Sequence, residues 1–108
     1  DLVVVNRSAP MEIYQNVTDS SGNWISVQLG QSDGNTHATG AWIEVSANGS
    51  VQAREVTIGG GHASGQALPM HFGLGTEAAP MVRVTWPGGQ TTEWEAVDPN
   101  RLVQLGRP

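Results

Sequence analysis

The chain has no cysteine and no lysine, and each absence excludes chemistry. Without cysteine there is no disulfide, no thiolate metal site and no cysteine nucleophile, and either redox compartment is compatible with the chain. Without lysine, five arginines face ten carboxylates, for a formal net charge of −5. A field of that sign repels phosphate, so no nucleic-acid partner is expected. No apolar run approaches the ~20 residues of a membrane-crossing helix, and no stretch carries a helical period. Charged residues reach only 14% while hydrophobic ones reach 38%, which fits neither a polyelectrolyte nor a disordered chain. At 108 residues it can hold one core of its own. The chain opens on Asp1 with neither Met nor a signal peptide, as expected of a piece of something longer.

What is present is period-2 alternation broken by turn residues. Leu2 to Val5 is a β-branched run suited to a strand buried on both faces. Turn chemistry at Asn6 to Pro10 and alternation through Glu12 to Gln15 make residues 1–16 a hairpin, with a polar connector at 16–23. From Trp24 onward Ile25, Val27 and Leu29 face one way and Trp24, Ser26 and Gln28 the other. After a polar loop from Gly30 to Gly40, whose length suits a functional role, Ile43, Val45 and Ala47 alternate with Trp42, Glu44 and Ser46. Asn48-Gly49 is a strong hairpin signal. The return strand, 50–58, shifts its apolar phase from Val51 and Ala53 to Val56 and Ile58, which predicts a bulge near Arg54-Glu55. Val82, Val84 and Trp86 alternate next, Thr92, Trp94 and Ala96 continue that pattern, and Arg101 to Leu105 forms a last strand. About nine short strands with frequent turns predict an all-β domain, an antiparallel β-sandwich or a barrel-like fold.

The least generic passage is Gly59 to Gly75, reading GGGHASGQALPMHFGLG. Its glycines suit sharp turns and close approach. Leu68, Met70, Phe72 and Leu74 alternate with His71, which therefore points away from the buried side. Four candidate chemistries follow. His62 with His71, joined by His37, could bind zinc, copper or nickel, but a spacing of nine fits no compact metal motif, so a hydrogen-bonding role is the commoner outcome. Ser64 with His62 or His71 as base and Asp33 or Asp98 behind it would be a nucleophile, yet no strand-to-helix elbow surrounds it. Glu93 and Glu95 share one face of a strand, where a solvated surface is the ordinary reading. Trp24 and Trp42 lie opposite the aliphatic phase, and form a ligand platform if that side is wet or a packing surface if it is covered. The recognition candidates are thus His62, Ser64, Gln66, His71, Trp24 and Trp42, with no catalytic residue, metal or cofactor expected.

Several motifs in order carry a family resemblance. They are Asn23 to Leu29, Ala38-Thr39-Gly40-Ala41, Arg54-Glu55-Val56, the HFGLG block at 71–75, and the V-x-V-x-W-P-x-G strand from Val82 to Gly89. From Asn23 to about Leu105 the chain resembles the ASPIC/UnbV domain, the C-terminal domain of cartilage acidic proteins. It departs from many relatives at His62 and Gly65. Residues 1–16 resemble the tail of an FG-GAP or VCBS repeat, units of the β-propeller that typically precedes this domain. Asp1 could close such a repeat's calcium loop, but the other aspartates are missing, so no calcium site is carried over. The resemblance implies residues 17–108 as the ASPIC/UnbV-like domain. It implies a secreted or cell-surface setting and a non-catalytic accessory module that caps or follows the propeller in adhesion, assembly or partner binding. A glycan-binding module using the tryptophans is the alternative, and a metal-binding or hydrolase domain the third. An orphaned hairpin is marginal alone, so residues 2–5 and 12–16 are expected to pair with the sandwich or with a second copy in a homo-oligomer.

Overall fold

A computed structural model describes residues 1–108. It contains β1 (Leu2–Val4), β2 (Glu12–Tyr14), β3 (Asn23–Gly30), β4 (Trp42–Ala47), β5 (Ser50–Glu55), β6 (Met70–Gly75), β7 (Met81–Thr85), β8 (Glu95–Ala96) and β9 (Arg101–Gly106), and no helix. β6, β3 and β9 form one sheet, and β5, β4, β7 and β8 form a second. The alternation of their sequences places Ile25, Val27, Phe72 and Leu74 of the first sheet against Ile43, Val45, Val82 and Val84 of the second, all at most 1% exposed. Each such burial contributes about 1.5–3 kcal/mol. Trp86, just past β7, completes the core with its indole nitrogen buried and unbonded. The sheets stay open at their edges, so the expected architecture holds as a sandwich and not as a barrel.

One pairing departs from the antiparallel expectation. β9 runs parallel to β3, with Ile25 opposite Arg101 and Gly30 opposite Gly106. The chain leaves β8 in the second sheet and enters the first through Asp98-Pro99-Asn100. Asn100, at φ +61°, fixes the entry: its backbone N–H donates to Trp24 O at 2.6 Å, its Oδ1 accepts from Trp24 N at 3.2 Å, and its Nδ2 donates to Asn23 Oδ1 at 2.9 Å. A side chain thus sets the register that no period in the sequence encodes.

β5 also differs. It ends at Glu55 with regular pairing to β4 throughout, so there is no bulge at Arg54-Glu55. The irregularity lies on the other strand: Gly40 N donates to Val56 O and Val56 N donates to Ala41 O, each at 2.8 Å. Two residues opposing one, the first a glycine at φ +89°, is the bonding of a glycine bulge. Val51 and Ala53 stand opposite Ser46 and Glu44 on the outer face, while Gln52 and Arg54 take the inward phase. β5 is an edge strand, and long polar side chains can cover core from an edge with their heads in water. On either side of these strands the regular elements are shorter than expected. Leu68 is exposed and outside β6, and of Thr92 to Ala96 only Glu95-Ala96 is strand. The Gly30–Gly40 loop is held by its own bonds, Asn35 to Thr39 among them, and buries Ala38.

Residues 1–16 do form the expected hairpin, with Leu2 opposite Tyr14 and Val4 opposite Glu12. The hairpin is a sheet by itself and does not join the sandwich. Nor is its first strand buried on both faces: Leu2, Val3 and Val5 are 59%, 55% and 82% exposed. β-branched composition favours a strand but does not supply the layers that would bury it.

Candidate functional site

The connection from β5 to β6 crosses from the second sheet to the first and carries the glycine-rich passage. Gly59 pairs with Gly65, and Gln66 N donates to Ile58 O at 2.7 Å, which closes residues 58–66 into a small loop. Gly65 is needed there, because a Cβ on it would lie 2.7 Å from Ile58 O. Gly61 at φ +70° and Ala63 at φ +50° turn the tip. A cleft of about 450 Å³ opens under this loop, lined by Arg54, Gly59 to Gly61, Gln66, Met70 and His71 among others.

Arg54 enters the cleft from the inward phase of β5. Its guanidinium carbon lies 5.3 Å from the centroid of the buried Phe72 ring, a cation–π contact. The ion pairs of the molecule are Arg83–Glu44, Arg101–Asp98 and Arg107–Asp33, which leave Arg54 without a carboxylate. His71 stands on the outer face of β6, opposite Ser26 of β3. Its Nδ1 is 3.4 Å from Ser26 Oγ, and its ring stacks on Trp24 at 5.7 Å between centroids with 26° between planes.

The expected recognition residues therefore separate. Gln66 and His71 share the cleft, and Trp24 is tied to it through His71. His62 and Ser64 are exposed on the loop and do not line the cleft. Trp42 is on the outer face of the other sheet, 46% exposed, between Thr85 and Glu55. His37 borders a different groove, of about 640 Å³, with Gln28, Gln31, Gln104 and Arg107. There Arg107 is already occupied, 3.5 Å from Asp33 and 3.4 Å from Gln31 Oε1. No group of three or more His, Cys, Asp or Glu side chains is placed to hold a metal ion. Glu93 and Glu95 are exposed, as the ordinary reading of a solvated face requires.

Two residues of this region, Arg54 and Ser26, stand outside the sequence-based set. Ser26 carried a signal, since it shares the outward phase of Trp24. Arg54 stood in the sequence only at the expected bulge and in the Arg54-Glu55-Val56 motif, neither of which marks it as a binding residue.

Glu44 is held below the usual carboxylate value by hydrogen bonds from Arg83, with partial burial opposing and the attraction of the guanidinium adding to the effect. Glu77 is held low by backbone N–H groups of Asn48 and Ala79.

No helix in the structure is long and apolar enough to cross a membrane. No curated protein and no solved structure matches the chain. A match to the family described as ASPIC and UnbV covers residues 31–108, from the loop after β3 to the last residue, and leaves out the β1–β2 hairpin. The loop under which the cleft forms, the HFGLG strand and β7 all fall inside the matched range. Spanning most of its length, this match shows that the chain belongs to the ASPIC and UnbV family.

Proposed function

We propose that the chain is a non-catalytic binding module of a secreted or cell-surface protein, packed against a neighbouring domain and serving adhesion, assembly or partner binding. The hairpin carries the reading. Val3 and Ile13 face each other on one side, with Val5 and Met11 next along the strands, and the four are 55%, 68%, 82% and 58% exposed. On the other side Glu12 accepts from Asn6 Nδ2 at 3.1 Å and from the Tyr14 hydroxyl at 3.2 Å. That side also bears Leu2, 59% exposed, opposite Tyr14, so the ribbon carries wet apolar surface on both faces, and an apolar patch of this kind marks an interaction surface. The neighbour that fits is a β-propeller of FG-GAP or VCBS repeats, to which residues 1–16 would contribute the last strands.

Hydrogen exchange tests this reading. Amides of residues 2–14 are expected to be protected in the full-length protein and to exchange quickly in the 108-residue chain. Equal, fast exchange in both would remove the domain-packing role.

The glycan alternative rests on Trp42, whose exposure on an open sheet face suits a sugar-stacking platform. A glycan array with the native chain and Trp42→Ala separates the two readings, since a platform predicts binding that the variant loses. A hydrolase built on Ser64 draws no support from the site, because the serine beside His71 is Ser26 and Asp33 and Asp98 are engaged with Arg107 and Arg101.

A further inference from the structure

We propose that the cleft beneath the Gly59–Gly61 loop binds a carboxylate borne by a saccharide, a uronic acid or a similar acidic sugar, with Arg54 as the anion-binding fork. The proposal rests on the binding-module reading and goes beyond it by naming a site and a ligand class.

The lining is one-sided in its chemistry. The chain has ten carboxylates, yet none lines this cleft, where Arg54, Gln66, Thr57 and His71 meet. Glu55, next to Arg54 in sequence, takes the opposite phase of β5 and stands beside Trp42 on the outer face. The long-range field of the protein repels anions, so the site must work by short-range contact, which a guanidinium supplies. Its planar fork matches a carboxylate in two parallel hydrogen bonds, and such charge-assisted pairs are roughly twice as strong as neutral ones.

Arg54 is also positioned in advance. The Phe72 ring beneath it is fully buried and held in the core opposite Ile25. A guanidinium seated on a fixed aromatic face keeps its N–H edge free, and with no intramolecular carboxylate there is nothing for a ligand to displace. Side chains ordered before binding cost less entropy when the ligand arrives.

The same edge argues for a sugar over an acidic peptide. A peptide would bind most readily by adding a strand to β6, the outermost strand of its sheet. That edge is already engaged from the second sheet: Gln52 Nε2 donates to Gly73 O and Asn48 Nδ2 to Leu74 O, both at 2.7 Å. What remains is a concave space of about 450 Å³, within the range of small-ligand sites. Gln66 and Thr57 supply an amide and a hydroxyl for sugar hydroxyls, and Met70 supplies an apolar flank.

The test titrates the 108-residue chain with a glucuronate-containing tetrasaccharide, a glucose tetrasaccharide and an acidic tetrapeptide, by calorimetry and amide chemical shifts. The glucuronate probe is expected to bind, to shift Gly59 to Gly61 and His71, and to weaken at high salt. Arg54→Ala should weaken it at least tenfold. Arg54→Lys should fall between, since it keeps the charge and loses the fork. Gln66→Ala, at an exposed position, provides a second reduction if Arg54→Ala impairs folding. Absence of glucuronate binding, equal binding of the neutral sugar, or unchanged affinity in Arg54→Ala overturns the proposal. Tighter binding of the peptide overturns its saccharide part. None of these outcomes alters hydrogen exchange at the hairpin, so the binding-module reading stands or falls separately.

Discussion

Arg83 of β7 grips Glu44 of β4 with two hydrogen bonds, Nε to Oε2 at 2.8 Å and Nη2 to Oε1 at 2.9 Å, while its guanidinium lies 4.5 Å above the Trp94 ring. The two residues are direct cross-strand partners on the outer face of the second sheet. The bidentate geometry and the aromatic backing distinguish this pair from an ordinary surface ion pair of little consequence.

Acid should find this pair and Glu77 together. Both carboxyls are held below the ordinary value of 4.5, Glu44 by Arg83 and Glu77 first by the Asn48 N–H. The folded state thus binds these protons less readily than the unfolded chain. Their contribution is present above about pH 4.5 and is lost as pH falls through the lower folded values. Melting temperature measured from pH 7 downward should drop below that point, and Glu44→Gln with Glu77→Gln should flatten the drop. An equally steep acid limb in the double variant would mean that other groups drive it.

The turn between β4 and β5 can be separated into conformation and contact. Asn48 and Gly49 sit at φ +50° and +73°, and Asn48 Nδ2 reaches Leu74 O across the sandwich at 2.7 Å. Asn48→Gly keeps the turn and loses the contact, so urea unfolding should register a loss of about 1 kcal/mol. Asn48→Ala loses both and should cost more. Gly49→Ala should cost about 1–2 kcal/mol through the left-handed backbone alone.

Glycine is required at Gly22 and Gly65 for space. A Cβ on Gly22, at φ +74°, would come 2.7 Å from Gly75 O, beside the irregularity where β3 meets β6. Gly22→Ala should therefore cost more than Gly49→Ala, which meets nothing within 4 Å. Gly65→Ala should break the Gln66–Ile58 bond and shift the Gln66 amide while changing the melting temperature little, because the loop adds nothing to the core. A melting temperature lowered as far as by Gly22→Ala would show that the loop is coupled to the sandwich.

Removing residues 1–16 should leave the sandwich intact. No hairpin residue belongs to the buried cluster, which draws on β3, β4, β6 and β7 with Ala38, Ala41 and Trp86. The shortened chain is expected to unfold at nearly the same temperature and to be less prone to self-association. A fall of more than a few degrees would mean that the hairpin supports the core.

The core strands were legible because one physical cause, burial on one side of a pleated strand, writes itself into the chain as alternation. Ile25 to Leu29, Ile43 to Ala47, Phe72 with Leu74, and Val82 with Val84 all lie inside as that pattern demands. β5 was misread because an edge strand does not need apolar residues inward, and Val51 and Ala53 gave a false phase. Of the cleft, Gln66 and His71 were legible from their loop and strand, and Trp24 from its outward phase. Ser26 and Arg54 join them only through pairing and packing between segments distant in sequence.

The sequence by itself determined an all-β domain, the inward face of its central strands, the Asn48-Gly49 turn, the hairpin at residues 1–16 and the family. Each follows from local chemistry: side-chain period, turn residues and motifs within a few positions. Only the tertiary structure decided that β9 runs parallel to β3, that the hairpin stands outside the sandwich, and that Arg54 lies over Phe72 without a carboxylate. Those are relations between segments, set by which side chains meet across a sheet or between sheets, and no local period records them.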